Sequence, residues 1–264
     1  MDRSFLSHKS VVAASRKFVC IRIATYEDAA ENAVLKRIFA PGGTLQNTVF
    51  GILTPDGKTS IVRAGRSPAW AFGGAAGPGI HQQADSVLAK MGDTMEAIAL
   101  AYPGNGKAAQ GSLPLPYLAD LRVALNVTAC DRQPLVAVYG NTAQRKAMEA
   151  ELTKLAWSDQ FLGQVQYVAA SKAEDFKSIK GLKAKAGFIV IQPEPFGLSG
   201  KVIREIAADA KAGELRNQLA QALGKHKPSE LTYDQHRRAG AQAGKVWESK
   251  TPNTDGAGRR RQRR

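Results

Sequence analysis

Only two cysteines, Cys20 and Cys130, occur in the 264 residues. They lie too far apart in sequence for a CxxC pair and are too few for a disulfide framework or a cysteine-rich zinc site. The four histidines, His8, His81, His226 and His236, are scattered and match neither HxxxH nor HExxH spacing, so no metal or general-base constellation is read from them. No stretch approaches the roughly 20 apolar residues that span a bilayer. The start, Met1 to Lys9, has no apolar run of the signal-peptide kind. A GxSxG elbow and a Rossmann fingerprint are both missing. Gly104-Asn105-Gly106-Lys107-Ala108 lacks the first glycine of a phosphate loop and the Ser or Thr after its lysine, so it reads as a linker.

What remains is a chain with 44% hydrophobic and 23% charged residues, enough apolar material for one large domain or two of ordinary size. Net charge is +14, and its position matters more than its size. From Lys225 onward eleven basic residues face four acidic ones, and the run ends on Arg259, Arg260, Arg261, Arg263 and Arg264. Half of the excess therefore lies in the last 40 residues. That segment is poor in apolar residues and reads as a basic, mostly disordered tail over 225–264, with a short helix around Tyr233 to Trp247. The five terminal arginines are the candidate contacts for a polyanion. They have no interleaved aromatic side chains for base stacking, which favours a weak contact.

Along the first half, Ser7 to Ser15 reads as the end of a helix. Phe18 to Thr25 reads as a buried strand, with Val19, Cys20, Ile21 and Ile23 almost continuous. Cys20 is then a small core side chain. Asp28 to Phe39 puts Ala30, Val34, Leu35 and Ile38 on one helical face and stops at Pro41-Gly42-Gly43. Glu27 and Asp28 are the acidic start of that helix, favourably placed against its dipole. Thr48 to Thr54 and Thr59 to Ala64 flank Pro55-Asp56-Gly57-Lys58, a hairpin pattern. A Gly/Ala-rich loop over 69–79 and a helix over 82–102 follow. Pro103 to Pro116 reads as a connector.

The second half repeats the order without residue identity. Leu135 to Tyr139 is a strand, Thr142 to Leu155 a helix, Val165 to Ala169 a strand and Ala173 to Ile179 a short helix. Phe188 to Gln192 and Val202 to Ile206 are strands about a turn through Pro193 to Gly200, and Ala212 to Leu223 closes as a helix.

This layout, with Phe18-Val19-Cys20-Ile21-Arg22-Ile23 and Asn47-Thr48-Val49-Phe50-Gly51-Ile52-Leu53-Thr54-Pro55-Asp56-Gly57-Lys58, resembles the thioredoxin-like superfamily. Residues 1–100 carry the resemblance by motif and 130–224 by layout. The fold class expected is α/β, with two thioredoxin-like domains, each a mixed central sheet flanked by helices, and the tail. The division expected is 1–102, a linker over 103–116, a degenerate second domain over 117–224, and 225–264.

The resemblance also marks departures. The family's central strand and CxxC would precede Met1, and Asn47-Thr48 stands where the family has a cis-proline. In the second domain Gly140-Asn141-Thr142-Ala143 occupies the CxxC position, where Asn141 or Thr142 reads as a helix N-cap. Cys130, beside Arg132, is a weak catalytic candidate, since a thiolate needs an electropositive site and usually a resolving partner. The expectation is a redox-inactive module without cofactor or metal that binds other proteins or peptides. Two alternatives stay open: a thiol-disulfide oxidoreductase whose CxxC or selenocysteine variant is encoded upstream of Met1, and a polyanion-binding protein acting through its arginine-rich tail.

Overall fold

The computed structural model describes residues 5–40, 49–65, 67–74, 84–103 and 114–251. The chain divides into two compact units, Met1–Lys107 with Glu248–Arg264, and Ala108–Trp247.

In the first unit the described helices are α1 (Lys9–Ser15), α2 (Ala29–Phe39), α3 (Ala69–Phe72) and α4 (Asp85–Ala101). Asp28 caps α2, its carboxylate accepting from the amides of Ala30 and Glu31. This satisfies two of the amides that a helix start leaves without partners. A small core joins Phe5, Val11, Ala14, Ile52, Phe72, Leu88, Met91 and Met95. Gly92 lets α1 approach α4 closely, because a Cβ there would collide with Ser10.

Two expectations are corrected here. The Phe18 to Thr25 segment forms no strand: Val19 is 89% exposed and Ile21 76% exposed. Its β-branched run encodes strand propensity, but propensity yields when, as among the described residues, no neighbouring strand pairs with it. Cys20 is accordingly exposed and not a core residue; its thiol donates weakly to the Ser15 carbonyl at 3.7 Å, and partial desolvation raises its pKa. The hairpin around Pro55 to Lys58 follows the expected path, but its ladder is reduced to two isolated bridges, Phe50 with Gly65 and Leu53 with Ser60. Its turn is held locally: the Asp56 carboxylate accepts from the Thr54 hydroxyl at 2.6 Å and the Lys58 amide at 3.1 Å. The Thr54 hydrogen bond first, then the Lys58 amide, lowers the Asp56 pKa. Asn47-Thr48 lies outside the described residues.

The second unit is a mixed α/β structure with a central sheet flanked by helices. Its strands are β1 (Tyr117–Leu118), β2 (Leu135–Tyr139), β3 (Gln166–Ala170), β4 (Ile179–Lys180), β5 (Gly187–Pro193) and β6 (Gly200–Ile206), in the spatial order β1-β3-β2-β5-β6-β4. β1, β3 and β2 run parallel, whereas β5 is antiparallel to β2 and to β6, and β4 pairs parallel with β6. Register is set by Leu135 opposite both Gln166 and Ile191, and by Tyr139 opposite both Ala170 and Gly187.

β2 is buried at every position, and alternation divides it between two cores. Val136 and Val138 face Met148, Leu152 and Leu155 of α6 (Thr142–Ala156) and Leu215 and Leu219 of α7 (Ala212–Lys225). Leu135, Ala137 and Tyr139 face Leu121, Ala124 and Leu125 of α5 (Leu121–Asp131), with Phe176 and Ile179. Helices cover both faces of the sheet here, so β2 reads as an unbroken apolar run. α6 and α7 are tied by Glu151, whose carboxylate takes the Ala212 amide at 3.0 Å and Lys154 at 2.8 Å. The Lys154 hydrogen bond, then the Ala212 amide, lowers its pKa.

The stretch read as mostly disordered from residue 225 also needs correction. α8 (Tyr233–Gln242) lies within the expected helical span, and the segment before it is pinned by hydrogen bonds. The Gln192 side chain donates to the Lys227 carbonyl at 3.0 Å and accepts from the Lys227 amide at 2.8 Å. The Arg132 guanidinium donates to the Leu231 carbonyl at 3.1 Å. Composition predicts how much apolar area a segment buries, and it is blind to main-chain hydrogen bonds of this kind. Arg259, Arg260, Arg261, Arg263 and Arg264 lie outside the described residues.

Candidate binding groove

The β2–α6 junction is where sequence reasoning looked for chemistry. Gly140 leaves the strand with its amide on the Ala170 carbonyl at 3.2 Å. Asn141 then caps α6: its side-chain oxygen accepts from the Gln144 amide at 2.9 Å, while the Gln144 side chain accepts from the Asn141 amide at 3.0 Å. This reciprocal capping box uses Asn141 for structure and leaves no nucleophile at the helix start. Thr142 is the first helical residue.

Cys130 lies in the last turn of α5 and is exposed. Because α5 feeds the start of β2 and the junction sits at its end, the two are separated by the strand's length, roughly 13 Å. Cys130 and the α6 N-terminus therefore do not form one site. Neither cysteine is in a disulfide, and among the described residues no group of three or more His, Cys, Asp or Glu could hold a metal ion. No helix among them is long and apolar enough to cross a membrane.

A concave surface of about 320 Å³ lies elsewhere, lined by the β5–β6 turn, α8 and the residues just after it. The turn is rigid. The Glu194 carboxylate accepts the amides of Phe196 at 3.1 Å and Leu198 at 2.8 Å, and Gly197, at φ +68°, rests on α5, where a Cβ would come within 2.6 Å of the Asn126 Cα. Phe196 is thereby fixed and packs against the His236 imidazole, with ring centroids 4.9 Å apart.

The other wall is built by α8. Thr232 and Gln235 form a capping box at its start. At its end Gly244, at φ +59°, and a Lys245 amide reaching back to the Gly240 carbonyl at 2.9 Å form a Schellman-type stop. Only a residue at ease in the left-handed region makes this reversal, and it returns Lys245, Val246 and Trp247 to the groove. Gly240 faces Phe196 at a point where a Cβ would sit 3.2 Å from the ring. Trp247 is covered on one face by the Arg122 guanidinium, 4.1 Å from the ring centroid, a cation–π pair. The result is an apolar floor with a cationic rim of Arg237 and Lys245.

Outside the groove lining, the His226 ring contacts the Arg132 carbonyl at 3.1 Å through Nε2. Its Nδ1 is buried without a hydrogen-bond partner among the described residues. Desolvation lowers the His226 pKa against the opposing effect of the Arg132 carbonyl.

Sequence reasoning missed this groove. The helix around Tyr233 to Trp247 was legible, and Thr232-x-x-Gln235 carried a capping signal, but nothing local linked Phe196 to His236 or Arg122 to Trp247. These residues lie on a mixed α/β unit with a central sheet and helices on both faces. No protein-family model matches the chain, and no similar protein was found among curated sequences or solved structures.

Proposed function

We propose that residues 108–247 form a thioredoxin-like domain without a dithiol, serving as a protein- or peptide-binding module. Support for the fold comes from the order β1-β3-β2-β5-β6, three parallel strands followed by two antiparallel ones. Helices cross over on both faces, with α6 leaving the end of β2. The proposal is confined to this unit, because the described residues of the first unit contain no strand beyond isolated bridges.

The observation that carries the functional half is the Asn141–Gln144 capping box at the β2–α6 junction. Dithiol exchange needs a low-pKa thiolate at that helix start, and this position holds a capping amide. With chemistry absent there, the surface suited to a partner is the groove between the β5–β6 turn and α8. It offers fixed aromatic side chains, apolar walls and cations, the mixture that makes binding hot spots.

Insulin reduction with dithiothreitol as electron source tests the reading. The full chain should give no turnover above the dithiothreitol blank. Turnover that Cys130→Ser abolishes would overturn it.

A further inference from the structure

We infer that the groove between the β5–β6 turn and α8 takes a short acidic peptide carrying one or two apolar anchor side chains. The inference rests on the binding-module reading and adds the chemistry of the occupant.

Charge comes first. Among the lining residues Arg237 and Lys245 are cationic, and none is a carboxylate. The acids on the two walls, Glu194 of the turn and Asp234 of α8, are both engaged. Glu194 spends both carboxylate oxygens on the amides of its own turn. Asp234 approaches Arg237 at only 3.8 Å with 70% of its side chain exposed, a loose surface pair that a ligand carboxylate can replace. An anionic ligand is thus drawn to the rim from solution, and a basic one is repelled. This chain's own Arg259 to Arg264 run has the wrong sign to occupy the groove.

Size and surface select a peptide over a nucleic acid. About 320 Å³ is at the small end for a ligand pocket, enough for one or two side chains. Leu198, Val246 and Trp247 give those side chains apolar contact. Sequence-tolerant nucleic-acid binding needs open aromatic faces for stacking. Here Trp247 carries a guanidinium on one face and Phe196 packs on an imidazole.

The test is fluorescence anisotropy on the full chain. The probe is a fluorescein-labelled peptide with a central Leu-Phe pair and three Glu or Asp residues on each side. Binding in the micromolar range is expected, as for a small surface site. Replacing the acids by Lys, or Leu-Phe by Ser-Ser, should each weaken it by about tenfold or more. Lys245→Glu alone, and with Arg237→Glu, should do the same, both being solvent-facing changes that leave the circular dichroism spectrum intact. Changing Arg259, Arg260, Arg261, Arg263 and Arg264 to Ser should leave affinity within about twofold.

The inference is overturned if the charge reversals have no effect, if the Ser-Ser peptide or a heparin fragment binds as well as the Leu-Phe peptide, or if the arginine-to-serine protein loses binding. No acidic-peptide binding with a blank insulin assay sinks this inference alone; insulin turnover sinks the underlying reading.

Discussion

Replacing Asn141 by Ala measures whether the β2–α6 junction is structural. The substitution removes one hydrogen bond, from the Gln144 amide to the Asn141 side chain at 2.9 Å. It leaves the reverse bond, from the Asn141 amide to the Gln144 side chain at 3.0 Å, because that donor is main chain. Loss of a good N-cap costs about 1 kcal/mol, within a range of roughly 0.5–2. Asn141 and Gln144 are both exposed, so water recovers part of the loss and the lower half of that range applies. For a unit of this size that is a fall in Tm of about 2–5 °C.

Asn141→Asp should be as stable as the parent at neutral pH, since aspartate caps as well and its charge suits the helix N-terminus. Gln144→Ala removes only the reverse bond, and the double variant should reveal a coupling of a few tenths of a kcal/mol or more. The assay is urea unfolding by tryptophan fluorescence in a Trp70→Phe background, where the remaining Trp157 and Trp247 both report on the second unit. If Asn141→Ala changes stability by less than about 0.3 kcal/mol, below the floor for an N-cap, the capping assignment and the functional argument built on it are refuted.

Four further outcomes are expected. Gly187→Ala should destabilise the second unit by about 2 kcal/mol or more, since Gly187 sits at φ +145° and a Cβ would meet the Ile206 carbonyl; an unchanged urea midpoint would contradict the β5–β6 geometry. Tyr167→Phe should be neutral or stabilise by up to about 1 kcal/mol, because the buried hydroxyl has no hydrogen-bond partner among the described residues and its desolvation is a net cost; clear destabilisation would reveal a partner. The same burial raises the Tyr167 pKa, and burial followed by the Glu149 carboxylate raises that of Tyr117. Absorbance titration at high pH should therefore leave both un-ionised after exposed tyrosines have titrated. His226 has a lowered folded pKa, so its contribution is full above the unfolded value, about 6.5, and is lost as pH falls from there toward the folded value. His226→Gln should flatten that part of the stability profile in urea titrations across the same range.

In the second unit most of the element order was legible, because its periodicities are sharp. β2 reads as five apolar residues, β5 as another apolar run, and α6 and α7 place Met148, Leu152, Leu215 and Leu219 at helical spacing. β1 and α5 were not read. β1 is two residues long, too short to show alternation, and its pairing with β3 is visible only in space. In the first unit the β-branched run from Phe18 promised a strand that the fold does not make. Pairing requires a neighbour, and a single chain segment does not encode its neighbour.

The sequence by itself determined the excess of positive charge and the lack of a CxxC motif. It also determined the capping signal at Asn141, because caps depend on residues within one helical turn. Tertiary structure alone decided that Cys130 and the α6 N-terminus lie at opposite ends of β2, and that residues 226–247 fold onto the second unit. It also decided that Phe196, His236, Arg122 and Trp247 meet around one groove. Each of these depends on contacts between residues tens of positions apart in the chain. Such contacts follow from how apolar faces and main-chain donors are satisfied together, which no local pattern records.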